Sequence, residues 1–205
     1  GNVYDNRFDG VQASYGKDVK LTAGYGKAAH TTGLEATPKK ANAKDTYYAE
    51  LSGNVGKLAL AAGYYNYEDV KEAKDEDDTI WTVGANYAFD KNFKLGAMYL
   101  NGDQDKYEGD DDGFVVTASY KGAKAAKAGS WGLSATYYDQ GMGTVIAHTM
   151  DGVYFDEGFK GYSVGANYAL AKNIVAGVTY YDLETKEAGK DTDAQTLWSQ
   201  LVFTF

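Results

Sequence analysis

Along most of the chain, apolar residues fall at every second position and almost nowhere at helical spacing. In 81–89, Trp81, Val83, Ala85, Tyr87 and Phe89 share one face, and Thr82, Gly84, Asn86 and Ala88 share the other. The apolar face recurs as Phe93, Leu95, Ala97 and Tyr99, and as Phe114, Val116, Ala118 and Tyr120. It recurs again as Trp131, Leu133, Ala135 and Tyr137, then as Tyr162, Val164, Ala166, Tyr168 and Leu170, and then as Ile174, Ala176, Val178 and Tyr180. Segments 8–16, 19–27, 46–55 and 58–67 follow the same rule with more Gly and Ala, and 193–205 closes the chain on Leu201-Val202-Phe203-Thr204-Phe205. About eleven strands result. Aromatics stand near the ends of the apolar face with aliphatics between them, as a hydrocarbon band flanked by interfacial girdles requires. The pattern predicts an all-β fold, a transmembrane antiparallel β-barrel, with residues 1–205 forming one domain.

The links between strands alternate in kind. Gly16-Lys17-Asp18, Asn54-Val55-Gly56-Lys57, Asp90-Lys91-Asn92 and Ala171-Lys172-Asn173 are tight, and each carries a lysine. Between them lie long links at 28–45, 68–78, 102–112, 140–158 and 183–194, three of them strongly acidic. Short turns on one rim and long loops on the other are the arrangement of an outer-membrane barrel. Segment 121–130 occupies a short-turn slot but is longer and basic. Pro38 falls between strands, where it removes no ladder hydrogen bond.

Composition narrows the choice. No stretch approaches the ~20 apolar residues of a membrane helix, and the mean hydropathy of −0.48 is compatible with a barrel whose lumen-facing polar positions offset its lipid-facing ones. The 25 Gly and 19 Tyr suit strands with small wall residues and aromatic ends. A net charge of −9 argues against a nucleic-acid partner. The absence of Cys removes thiol chemistry and disulfides. The first residues, Gly1-Asn2-Val3, do not begin a signal peptide, so a processed end or a longer parent protein is expected.

A strand ending on a terminal aromatic resembles the insertion signal of bacterial outer-membrane proteins, which implies an outer-membrane location with Phe205 at the periplasmic rim. The tight turns then fall periplasmic, and the odd strand count implies either that residues 1–7 belong to another strand or that the barrel is incomplete at its N-terminal side. The stretch Tyr4-Asp5-Asn6-Arg7-Phe8-Asp9-Gly10-Val11-Gln12-Ala13-Ser14-Tyr15 is similar to the strand that follows the constriction loop of general porins. About five strands precede it in that family, so the resemblance implies the C-terminal part of a barrel of about 16 strands. A self-contained barrel of about 10 or 12 strands is the alternative. The acidic, Lys/Ala-rich style also resembles porins that carry an S-layer-homology domain, which implies cell-wall attachment through a region outside this chain. The porin resemblance further implies a homotrimer.

The function expected from this reading is a low-specificity diffusion channel for small hydrophilic solutes, in contact with the bilayer and lipopolysaccharide. A closed structural, tethering or adhesion barrel acting through its loops is the alternative. Lys20, Lys94 and Lys121 alternate with lipid-facing neighbours and are expected on the lumen wall near its periplasmic end, with Glu50 on the same wall. Arg7 joins them as a pore-wall cation, placed beside the constriction by the porin resemblance. Tyr65, Tyr67, Tyr138 and Tyr181 alternate inward near the outer rim, as lining and rim packing or as an aromatic path for sugars. Asp103, Asp105, Glu108, Asp110, Asp111 and Asp112 offer oxygen ligands for Ca²⁺ or Mg²⁺, but without EF-hand spacing, and a solvated charge run is the expected state. His30 and His148 form no nucleophilic constellation, and no G-x-S-x-G, H-E-x-x-H or phosphate loop occurs. No enzyme activity and no cofactor are expected.

Overall fold

The computed structural model describes residues 2–3, 8–28, 45–68, 77–104, 110–146, 158–186 and 192–205. Period-two patterning becomes a single antiparallel meander of eleven strands paired in chain order. These are β1 (Phe8–Gly16), β2 (Val19–Ala28), β3 (Asp45–Val55), β4 (Leu58–Glu68), β5 (Asp77–Ala88), β6 (Phe93–Gln104), β7 (Asp112–Lys121), β8 (Trp131–Gln140), β9 (Phe159–Ala171), β10 (Ile174–Thr185) and β11 (Asp193–Phe203). Among the described residues β1 pairs only with β2 and β11 only with β10, so the sheet is not closed.

One face carries the large apolar side chains and leaves them exposed. Leu21, Leu51, Val83, Leu133 and Val164 are each exposed on it. Two aromatic rows frame this band. The upper row includes Tyr47 against Tyr64 at 6.4 Å, Trp81 against Tyr99 at 5.4 Å, Phe114 against Tyr137 at 5.8 Å and Tyr162 against Tyr180 at 6.5 Å. The lower row includes Tyr87, Phe89 and Phe93, with successive centroids at 4.8 and 5.3 Å, and Tyr120 against Trp131 at 5.9 Å. Upper-row polar tips reach groups one step farther from the band: Tyr25 donates to Asp45 at 2.6 Å, and Trp81 Nε1 to Asn101 at 2.9 Å. An apolar ring body beside lipid and a polar tip beside water is the interfacial arrangement. Trp81 and Tyr87 stand about 20 Å apart along their strand at the usual rise per residue, which suits a tilted strand crossing a hydrocarbon core.

The tight turns share one rim. Gly56, at φ 62°, and Asn173, at φ 67°, supply the left-handed backbone two of them need, and a bulge at Ile174/Val175 follows the second. Asp90 closes a third by accepting from the amides of Asn92 at 2.6 Å and Phe93 at 2.8 Å. Thr204 donates its amide to Asn173 O at 2.9 Å, so the aromatic terminus lies on this same rim.

At the opposite rim the strands run farther than the apolar alternation does. The link expected at 102–112 loses Asp103 to β6, and the link expected at 183–194 narrows because β10 continues to Thr185 and β11 begins at Asp193. Pairs such as Asp78 with Gln104 and Glu184 with Asp193 continue the ladder beyond the apolar band. Backbone pairing needs no lipid-facing side chain, so it persists where the outward apolar pattern stops.

Candidate functional site

The face opposite the lipid band is built from small and polar residues, and the register brings them into cross-strand pairs. Ser14 meets Thr22 at 3.0 Å and Thr117 meets Thr136 at 3.1 Å. Along β1 and β3–β6 this wall opens into a cavity of about 490 Å³ bordered by Gln12, Tyr48, Glu50, Tyr65, Thr82 and Met98, among others. Tyr65 donates to Glu50 at 2.8 Å, and Tyr48 donates to Gln12 Oε1 at 2.5 Å. The Tyr48 and Tyr65 rings stack with centroids 6.1 Å apart, and Phe8 meets Tyr48 edge-on at 5.7 Å.

Glycines make the floor for these rings. Gly24 lies opposite Tyr48 in the ladder, and a Cβ there would run into the phenol. A Cβ at Gly63 would come within 2.7 Å of the Tyr65 hydroxyl and 2.9 Å of Thr82 Oγ1. The phenols therefore lie down along the wall, and their hydroxyls converge on one carboxylate and one amide. This group can hydrogen-bond hydrophilic solutes and attract cations, and its aromatic faces can stack against apolar faces of a solute.

Farther toward the long-loop rim the inward face is apolar and filled. Ile80, Leu100 and Phe159 are fully buried there, with Val115, Tyr138, Tyr181 and Leu183. The segment after β8 folds over them: a short 3-10 turn at Met142–Thr144 leads to Val145 and Ile146, both in the same cluster. Val3 packs there too, and accepts from the Ile146 amide at 3.3 Å. The amides of Gly141 and Gly143 bond the carbonyls of Asp112 at 2.9 Å and Asp110 at 3.2 Å. Lys186 pins the outer side, 2.8 Å from Asp110 and 2.6 Å from Asp139. Burial works against the Lys186 ammonium, but the hydrogen bonds it donates to both carboxylates hold its pKa above the ordinary lysine value.

The candidate residues separate in position. Glu50 borders the cavity, and Lys20, opposite Ser52, shares that face of the sheet. Lys94, opposite Ser119, lies on the inward register near the tight-turn rim. Lys121 departs from the alternation: its φ is 58°, and its ammonium lies over the Trp131 ring at 4.2 Å and the Tyr120 ring at 5.2 Å, both members of the lipid-facing set. Its charge stands at the rim because the chain leaves strand geometry at that residue. Arg7 lies outside the described residues, as do His30, His148, Pro38, Asp105 and Glu108. Of the four inward tyrosines, Tyr65 and Tyr67 border the cavity, and Tyr67 also belongs with Tyr138 and Tyr181 to the buried cluster. Tyr48 and Gln12 were not among the candidates. The signal for Tyr48 was an inward-register tyrosine facing a glycine on the next strand.

A sequence profile described as Gram-negative porin matches residues 1–107 of the 205. No curated protein is matched. That match covers β1–β6 and the cavity they border, and the remaining strands continue the same sheet with the same two faces. The chain therefore belongs to the Gram-negative porin family, a porin-type channel protein of the bacterial outer membrane.

Proposed function

We propose that the protein is a low-specificity diffusion channel for small hydrophilic solutes, with a weak preference for cations set by Glu50. The observation that carries this reading is the cavity of about 490 Å³ on the inward wall, to whose border Gln12, Tyr48, Glu50 and Thr82 bring polar groups. Selection would rest on width and wall charge, with no covalent step. The open outer edges of β1 and β11 favour closure by further strands, because each unpaired backbone group in lipid costs several kcal/mol. A barrel of about 16 strands assembled as a homotrimer is the form proposed. Planar-bilayer recording tests the channel: stable open steps are expected, and a protein that inserts but stays closed would sink it. Mass determination of the native protein tests closure, since a closed barrel of only 22.2 kDa would remove the need for further strands.

A closed structural barrel is favoured by one observation, the apolar cluster that fills the inward face between β4 and β10 at the long-loop rim. In that reading the loops, lipopolysaccharide or a cell-wall attachment outside this chain would carry the function.

A further inference from the structure

The anomalous basic segment after β7 is a built structure. Ala123 donates its amide to the inward-register Asn167 at 2.7 Å, and the Ser130 hydroxyl ties the turn together through Lys124 and Lys127 carbonyls at 3.2 and 2.7 Å. Gly129 and Ser130 bond the backbone of Ala169, and Ala125 accepts from Asn173 at 2.7 Å. Between this segment and the β5–β6 turn lies an open pocket of about 620 Å³, bordered by Lys91, Lys94, Lys121, Lys124 and Lys127 and by Trp131. Among the described residues no carboxylate pairs with any of the five lysines and none borders the pocket.

Five ammonium groups around one opening repel each other and attract an anion, although the Asp90 carboxylate in the β5–β6 turn offsets part of the Lys91 charge. Their level in the membrane identifies its source. Lys121 lies 4.2 Å from the centroid of Trp131, a lower-girdle aromatic exposed on the lipid-facing side, so one side of the cationic site reaches the bilayer interface at the short-turn rim, while Lys94 borders it from the inward register. Phosphate groups of the periplasmic leaflet stand at that depth.

We propose that this pocket binds a phosphate-bearing anion, the headgroup of an anionic phospholipid of the periplasmic leaflet. The lysines supply the charge, the 122–130 segment fixes their spacing, and Trp131 carries the adjoining acyl glycerol region.

Native mass spectrometry of the detergent-purified full-length protein tests this with added phosphatidylglycerol, phosphatidylcholine or inorganic phosphate. Wild type should retain phosphatidylglycerol in preference to phosphatidylcholine. Lys124→Gln with Lys127→Gln, both outside strands, should weaken it roughly thirty-fold, at about fivefold per lysine near a charged membrane surface. Lys124→Arg with Lys127→Arg should restore it, and unchanged heat-modifiability on gels would show that each barrel is folded. Equal retention of both lipids, or undiminished phosphatidylglycerol binding by the glutamine variant, would overturn the proposal. Displacement by inorganic phosphate at matching concentration would also overturn it, assigning the pocket to soluble phosphates.

Discussion

Replacing Glu50 with Gln removes one charge from the cavity wall and keeps the acceptor that Tyr65 uses at 2.8 Å. A permeating ion passing about 6 Å from the carboxylate gains or loses ~0.7 kcal/mol in water before screening. At 0.1 M salt, a Debye length of about 10 Å reduces this to ~0.4 kcal/mol. Cations are favoured and anions disfavoured by the same amount, so the permeability ratio should change about fourfold. At 1 M salt the Debye length of about 3 Å leaves less than about a 1.5-fold change. Reversal potentials across planar bilayers under KCl gradients, at both ionic strengths, measure this ratio. Glu50→Gln should shift the wild-type potential toward anion passage in dilute salt and hardly at all in concentrated salt. An unchanged potential in dilute salt would refute the placement of Glu50 on the permeation path, and an equal shift at both strengths would refute the electrostatic account.

Three further outcomes follow from the same wall. Val116 belongs to the lipid set and its neighbour Thr117 bonds Thr136 at 3.1 Å on the inward face; in urea unfolding from vesicles, Val116→Lys should cost about 2–4 kcal/mol, and Thr117→Lys no more than about 1.5 kcal/mol for the lost hydrogen bond. Equal costs would contradict the assignment of faces. Gly24→Val should push the Tyr48 phenol off its floor and lower single-channel conductance, with Tyr48→Ala in the same protein restoring it; a double variant as narrow as the single one would count against that contact. The Asn92 and Phe93 amides hold the Asp90 carboxyl below its ordinary value of 3.8, so its contribution to the turn is complete above that value and is lost as pH falls through the lower folded one. NMR shifts of those two amides should titrate below pH 3.8 and become flat in Asp90→Asn, and a midpoint above 3.8 would contradict the capping.

The strands, the two faces and the side of each turn were readable because lipid on one face and water on the other impose a period of two. Where that contrast ends, legibility ends with it. Asp103 and Thr185 lie in strands because the ladder runs on past the lipid-facing band, where the outward apolar alternation stops. Thr144, Val145 and Ile146 carry no periodic signal, since a single infolded turn buries side chains without repeating. Tyr67, Tyr138 and Tyr181 fall inward as expected, but only tertiary packing shows them joined in the buried cluster, with Tyr67 also bordering the cavity beside Tyr65. Lys121 shares the inward parity, and only its left-handed backbone sends its charge to the rim.

Both infolded segments grow from the ends of β8, and the wall has glycines where they land. Gly132 receives the backbone of Gly122, and Gly102 receives that of Gly143; a Cβ at either would collide with main chain. Over β2–β4 the inward glycines have a different occupant: Gly24 and Gly63 lie under tyrosine rings, which cover the wall without bridging the lumen. Main chain laid on glycine obstructs the space beside β6–β9, whereas phenols laid on glycine thin the wall beside β2–β4. Among the described residues, the wall beside Tyr48, Glu50 and Tyr65 carries rings on its glycines where the other carries main chain, and the proposed route runs along it. Substitutions there should govern conductance and ion preference, and substitutions under the infolded segments should act first on stability.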